Sequence, residues 1–396
     1  MSGAAVPVAS GRTPMSVTLV TPGFRSARGG LESHASALTR ELARHAIRVI
    51  VLTAQRGIET TKIERHDDCW VVTFPAWSIK SMSVSPRLLW AAIRSRRGDR
   101  VVHVHGYHAT TAMALLGRRV PTVFTPHYHG KHGHSWLANL LHVPYYQLAK
   151  HMVRRCDAVI CVSEAERQML IDDFPFVAAR ATVIPNGTDA STIRSAEPYL
   201  AEPPTVVCVG RLEPYKHVDD VVRAFSAVPS PAQLVIVGDG SQRNELVTLV
   251  AGLGLQDRVK LIGTVDDHEL HRWLRTARVF VSMSEREAFG MAPLEAACAG
   301  ARIILSDIPA HQEIADDFLR RCVTVLTDGS PEAIAEEIHR QLGAQRSYQC
   351  TAPDWPTVGA RTVDVYLSAC LDHLAGTTRH RPQTGTESLQ HEGLGT

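Results

Sequence analysis

Short apolar runs rich in β-branched residues alternate with longer segments of helical period along the whole chain. The first half carries SVTLVT (16–21), IRVIVLT (47–53), RVVHVH (100–105), TVFT (122–125), AVICVS (158–163) and ATVIPN (181–186). The second half carries TVVCVG (205–210), QLVIVGDG (233–240), VKLIG (259–263), VFVSMS (279–284), RIILSD (302–307) and VTVLT (323–327). Runs that are apolar on both faces predict buried strands, and helix-length spacers predict parallel sheets with right-handed crossovers. Leu31, Ala35, Leu38 and Leu42 share a face at helical spacing, so a helix is expected there. The two sets of runs meet at DASTIRSAEPYLAEPP (189–204), which has little periodicity and contains Pro198, Pro203 and Pro204. The expected fold class is α/β, with two doubly wound domains and a ligand site in the cleft between them.

Length agrees with that division. A chain of 396 residues, 44% hydrophobic and 21% charged, exceeds one ordinary core. The expected layout is a flexible tail over 1–14, a first domain over 15–190, a linker over 191–204 and a second domain over 205–376. The last helix is free to return to the first domain, and 377–396 form a second tail. A net charge of +2 gives no global reason to expect nucleic acid. Eight cysteines without a CxxC pair, several inside apolar runs, read as reduced, buried thiols in a cytoplasmic protein. No apolar run of about 18 residues suggests a membrane span, and MSGAAVPVASGRTP has neither part of a signal peptide.

The chemistry concentrates in EREAFGMAPLE (285–295), where Glu287 and Glu295 flank Phe289-Gly290 and Pro293. Glu287 falls on the loop after a strand, and Gly290 opens a helix whose first turn tolerates Pro293. Free N–H groups at such a start bind anions, and a glutamate one turn further in can accept both hydroxyls of a ribose. A solvated acidic loop is the plain alternative, and the Phe-Gly at fixed offsets weighs against it. Upstream, VGRLEPYKHVDDVVRAF (209–225) places Arg211 and Lys216 on a strand-to-helix loop, a pairing that suits a diphosphate.

GRLEPYK, VIVGDG, SEREAFGMAPLEAACAG and VIPNGTD together resemble the retaining glycosyltransferases of GT-B fold and family-four type, over about residues 16–375. The resemblance implies two Rossmann-like domains and a nucleoside diphosphate sugar as co-substrate. It implies that Glu287 contacts the donor sugar with help from backbone amides at Phe289, Gly290 and Met291, and that Glu295 binds the ribose. Arg211 and Lys216 would hold the diphosphate and stabilise it as leaving group. Gly263 and Thr264, in IGTV, match the loop that contacts the base. In the first domain Gly29-Gly30 match the glycine-rich loop that approaches the diphosphate, although the dinucleotide fingerprint is absent. His127, in VFTPHYHG, matches a histidine near the donor sugar. The catalytic set expected is Glu287, His127, Arg211 and Lys216.

His103, His105, His108, His127, His129, His132 and His134 form a dense cluster, able to chelate a metal or to line the acceptor side of the cleft, with some of them simply packed as a further reading. The resemblance implies no essential metal, and Asp-x-Asp is absent. The implied reaction moves a hexosyl unit from a UDP- or GDP-hexose to an acceptor hydroxyl with retention, which needs either an enzyme nucleophile or front-face attack. The front-face route is favoured because no residue announces itself as nucleophile. The acceptor is a lipid-linked glycan or a small metabolite. SPRLLWAAIRSRRGDR (85–100) reads either as a basic amphipathic helix for peripheral membrane contact or as an ordinary crossover helix. The competing classes are another GT-B enzyme, such as a sugar-nucleotide 2-epimerase, and a silent sugar-nucleotide binding protein.

Overall fold

The computed structural model describes residues 15–25, 29–79, 82–94, 100–107, 110–116, 120–130, 136–200, 202–348 and 350–379. The expected His108, His132 and His134 lie outside these residues. Two sheets carry the described chain, the first parallel except at an edge and the second parallel throughout. In the second, the strands run Val259–Gly263, Gln233–Val237, Thr205–Val209, Val279–Ser282, Arg302–Ser306, Val323–Leu326, all parallel. Every run expected there is a strand. Val207, Val235, Phe280 and Ile303 are fully buried, as double-faced strands require.

The first sheet runs Lys62–Arg65, Trp70–Ile79, Arg48–Arg56, Ser16–Val20, Arg100–His105, Thr122–Thr125, Ala158–Cys161, Ala181–Val183, with Met82–Val84 paired beside Trp70–Ile79. Three of these strands are additions to the expected set: Lys62–Arg65, Trp70–Ile79 and Met82–Val84. They make an edge in which the outer two pair antiparallel to Trp70–Ile79. Their pattern is not that of a buried strand. Lys62–Arg65 is exposed throughout, Trp77 is 64% exposed, and Pro75 sits inside the run. The first helix expected from its period spans Gly30–Arg44, with Ala35, Leu38 and Leu42 buried against the sheet.

Strand order reverses in each sheet beside its central strand. Ser16–Val20 lies between Arg48–Arg56 and Arg100–His105, and Thr205–Val209 lies between Gln233–Val237 and Val279–Ser282. Loops at such a reversal diverge to opposite faces and leave a crevice at the strands' carboxyl ends. The connection begins with a short helix, Ala190–Ser195, capped by the Asp189 side chain on the Thr192 N–H at 3.1 Å. The long helix Trp355–Arg379 contributes Trp355, Val358, Tyr366 and Ala369 to the first domain's core. It packs on Gly30–Arg44 so closely that a β-carbon on Gly359 would stand 2.5 Å from Glu41 Cβ.

The candidate basic helix is Pro86–Arg94. It buries Leu88 and Ala92, and leaves Trp90 60% and Ile93 40% exposed, with the Arg94 guanidinium 4.2 Å from the Trp90 ring centroid. It is thus a crossover helix with an apolar and basic outer face. Among the described residues no helix is long and apolar enough to cross a membrane.

Candidate active site

The second sheet builds its side of the cleft from two loops. After Val279–Ser282 the chain turns through Ser284 to Glu287, and Gly290, at φ +105, starts the helix Met291–Cys298. That φ suits glycine, and a β-carbon there would press within 3.0 Å of Ile314 Cδ1. After Thr205–Val209 comes the loop bearing Arg211 and Lys216. The VGDG turn passes so near it that a β-carbon on Gly238 would lie 1.9 Å from the Gly210 carbonyl oxygen. The Glu285 N–H donates to the Tyr215 carbonyl at 2.8 Å, which fastens the two loops together.

The Lys216 ammonium donates to Glu287 Oε1, and Ser284 Oγ donates to the same oxygen at 3.0 Å. Burial pushes the Glu287 carboxyl up. The Lys216 charge and hydrogen bond outweigh burial and hold the group below the usual carboxylate range. Arg211 Nη2 donates to the Tyr215 hydroxyl at 3.1 Å, and the Arg286 guanidinium lies 4.7 Å from the same ring's centroid. With the Lys216 ammonium 5.4 Å from that centroid, three cations surround one aromatic ring on this wall. Glu295 sits one turn inside the helix, and burial, then the Asp267 charge, push its carboxyl up to about 7. Gly263, at φ +76, ends the strand Val259–Gly263 and accepts from the Gly238 N–H at 2.7 Å, with Thr264 exposed beside it. The Phe289 ring is buried in the core, so only its backbone is available to a ligand.

The first domain faces this wall with the start of its own glycine-led helix. Gly29 is the cap of Gly30–Arg44, and a β-carbon on Gly30 would stand 3.9 Å from Met291 Sδ. Two helix N-termini, one from each domain, thus meet at one place, and both direct free N–H groups and partial positive charge there. The domains are also joined directly. Ser163 Oγ donates to the Ala288 carbonyl at 2.6 Å, and the Glu313 carboxylate accepts from the Glu164 and Ala165 N–H groups at 2.7 and 2.8 Å.

At the end of the first sheet's reversal the histidines gather. His103 and His105 are fully buried, and their rings lie 4.3 Å apart. His103 bonds Tyr366 OH at 2.7 Å and Thr125 Oγ1 at 2.8 Å, and His105 Nδ1 lies 3.3 Å from His127 Nε2. These two are packed residues and do not line the cleft surface. Burial, reinforced by the neighbouring imidazoles, holds His103 down to about 3 and His105 and His127 well below the usual histidine value. His129 is lowered to about 4, chiefly by burial. It also feels Glu287, Lys216, Arg211 and Arg286 across the cleft. Among the described residues, the group of three ligating side chains within 4.8 Å is His217, Asp219 and Asp220, not the histidine cluster. Arg223 pairs with both of those aspartates.

His127 itself sits at φ +47, a conformation that costs a non-glycine residue and recurs at functional sites. Its neighbour is pinned by a residue that pattern reading passes over. Glu166 accepts from the Tyr128 N–H at 2.5 Å and the Val162 N–H at 2.6 Å. A signal for it existed, because Ser163 and Glu166 have capping-box spacing, with Ser163 Oγ accepting the Glu166 N–H at 2.9 Å. Also unanticipated are His34, whose Nδ1 lies 2.6 Å from Asn186 Oδ1, and the buried His311. His34 stands among the first-domain imidazoles, 5.3 Å from His105 and 5.4 Å from His127 between centroids.

Two family descriptions divide the chain along its two sheets. "Glycosyl transferases group 1" matches residues 189–349, and "Glycosyltransferase Family 4" matches residues 28–192. A glycogen synthase of Mycobacterium tuberculosis is 30% identical over 296 residues, spanning 70% of each chain. The chain belongs to the GT-B glycosyltransferases. The phosphatidylinositol N-acetylglucosaminyltransferase gpi3 subunit of Schizosaccharomyces pombe is 26% identical and spans 90% of this chain and 81% of that protein. Among solved structures, this glycosyltransferase resembles sucrose-phosphate synthase of Thermosynechococcus elongatus, at 21% identity and a TM-score of 0.66, covering 92% of this chain and 98% of that one. It resembles Anabaena HepE in complex with UDP and glucose at 18% identity and the same TM-score of 0.66, covering 92% and 99%. At these identities the solved structures show the shared two-domain fold.

Proposed function

We propose that the protein is a retaining hexosyltransferase that moves a sugar from a UDP- or GDP-hexose to an acceptor hydroxyl on a lipid-linked glycan or small metabolite. The observation that carries this reading is the meeting of two helix N-termini beside Lys216, Arg211 and Glu287. An anionic, polyol-bearing ligand satisfies that site: diphosphate oxygens take the helix N–H groups and the cations, and hydroxyls take the carboxylates. The HepE structures that hold UDP, or UDP-glucose, support the choice of donor class. The reading places the reaction in the cytoplasm and requires no resident metal ion, since the fixed cations and helix dipoles supply the positive charge.

In this scheme the diphosphate draws Lys216 and Arg211, and Glu287 orients the transferred sugar through its hydroxyls. Glu295, one turn deeper, accepts from the ribose diol. The acceptor oxygen attacks C1 on the face from which the diphosphate departs, and the leaving phosphate oxygen takes its proton. Lys216, Arg211 and the helix starts neutralise the charge that develops on the leaving group. His127 and Gly29-Gly30 bound the donor from the first-domain side, and Gly263 and Thr264 border the base through backbone groups.

The test is incubation of the purified protein with UDP-glucose, UDP-N-acetylglucosamine, GDP-mannose and ADP-glucose, following slow release of the free nucleoside diphosphate. Release from one donor identifies nucleotide and sugar together. Binding without release identifies a silent relative, and conversion of the sugar without release identifies an epimerase. Absence of both release and thermal stabilisation with all four sinks the reading.

A further inference from the structure

A buried polar chain runs behind the Lys216–Glu287 pair. Ser284 Oγ donates to Glu287 at 3.0 Å, and Ser306 Oγ donates to the Ser284 carbonyl at 2.5 Å. His311 Nδ1 lies 3.1 Å from both the hydroxyl and the carbonyl oxygen of Ser306. The Ser306 proton is committed to Ser284, so Nδ1 carries the ring hydrogen and donates it to Ser306. Nε2 is left with its lone pair. That atom is sealed from solvent and has no hydrogen-bond partner among the described residues, in a side chain 0% exposed. Its edge faces the donor loop, for a β-carbon on Gly290 would stand 3.8 Å from Cδ2, the carbon next to Nε2.

A buried acceptor without a donor, in the field of the Glu287 carboxylate, can take up a proton. Lys216 supplies the positive charge that Glu287 needs in this structure. The function proposed above takes Lys216 to the diphosphate, which would leave Glu287 buried with a serine hydroxyl alone. We propose that His311 is a positioning residue whose Nε2 takes a proton from solvent when the donor draws Lys216 away, so that Glu287 keeps a cation beside it while it orients the sugar. This rests on the donor-site reading of the cleft.

The charges around the ring agree. Burial lowers its proton affinity most, Glu287 raises it, the Ser306 carbonyl raises it and Lys216 lowers it. A diphosphate on Lys216 cancels the lowering charge and leaves the raising ones. The other ionisable groups nearby are engaged or exposed. On the same helix Glu313 accepts from the Glu164 and Ala165 N–H groups, and Asp307, just before it, accepts from Gln312. Glu164, on the helix packed against it, pairs with Arg167, and Glu166 accepts from Tyr128 and Val162. Asp316 and Asp317 are exposed on the next turn. His129 and Glu295 also titrate in the cleft and are the necessary controls.

Isothermal titration calorimetry in buffers of different ionisation enthalpy counts the protons at pH 7, using whichever of the four donors stabilises the protein. Both phosphates of such a donor are diesters without a titrating proton near neutrality, so the uptake belongs to the protein. The expected result is uptake approaching one proton per donor in the native protein, lost in His311→Gln and kept in His129→Gln. Donor affinity should then rise as pH falls, by up to about tenfold per unit while the ring gains its proton. Uptake in His311→Gln equal to native, or none in the native protein, overturns the proposal. Should His311→Gln fold poorly, nitrogen-15 spectra of histidine-labelled native protein decide, because Nε2 must move into the protonated range on adding donor. Binding without uptake defeats this proposal alone, whereas no binding by any of the four donors defeats the donor reading as well.

Discussion

The two domains bring the carboxyl ends of their central strands to one cleft with opposite chemistry. The second domain's wall is ionic: Lys216 paired to Glu287, with Arg211 and Arg286 around Tyr215. Behind the first domain's wall lies a buried, uncharged group of imidazoles, since His34, His103, His105 and His127 are all held below their usual value by burial. The difference follows from what each side can neutralise. Charges survive burial where a partner or a ligand phosphate compensates them, and imidazoles packed against one another stay neutral instead. In the function proposed above, the ionic wall is the one that takes the diphosphate.

The largest effect should come from removing charge on the ionic side. Lys216→Ala is expected to lower turnover by about 10²–10³-fold, in the range found when one group stabilising a developing anion is deleted. Turnover within twofold of native would remove Lys216 from the site. Against it stands the acid sensitivity of the neutral side. His34 is held at about 4, and a histidine in the unfolded chain titrates near 6.5, so between those values the unfolded state binds more protons. Stability present above about pH 6.5 should fall as the pH drops toward 4, by roughly 3 kcal/mol for this group. Urea unfolding at pH 7.5 and pH 5 reads this, and His34→Gln should flatten the dependence. An unchanged midpoint in the native protein would break the contrast between the walls.

Two smaller substitutions sharpen it. Tyr366→Phe removes the hydroxyl on His103 Nδ1, which is expected to cost about 1–3 kcal/mol while leaving nucleotide affinity in place. A matching loss of nucleotide affinity would mean that the buried His103–Tyr366 pair is coupled to the donor site. Glu295→Ala should weaken nucleoside diphosphate binding by roughly tenfold, as loss of one charge-assisted pair allows, whereas Glu287→Ala should act mainly on turnover. Equal loss of binding in both variants would end the division of labour between the two carboxylates.

Much of this was legible because both signals are local. A double-faced apolar strand announces itself within five residues, and all six runs of the second sheet did so. Glu287, Gly290, Arg211 and Lys216 sit on loops where the strand end and helix start fix their direction. The edge strand Trp70–Ile79 escaped because Pro75 and two exposed tryptophans blur its period. His34, Asn186 and Tyr366 escaped for another reason: their partners lie on distant segments, 152 residues away for the His34–Asn186 pair and 263 for the His103–Tyr366 pair.

Local pattern along the chain is enough for two largely parallel sheets, their helical crossovers, and a glycine-led helix start flanked by two carboxylates beside a two-cation loop. These are consequences of period, backbone freedom and nearest neighbours, which act over a few residues. Folding in three dimensions sets the rest: Lys216 rests on Glu287, the two helix starts meet, and the last helix closes onto the first domain through Tyr366. It alone decided which histidines are neutral, because protonation depends on burial and on the charges facing each ring, and both are set by segments far apart in the chain.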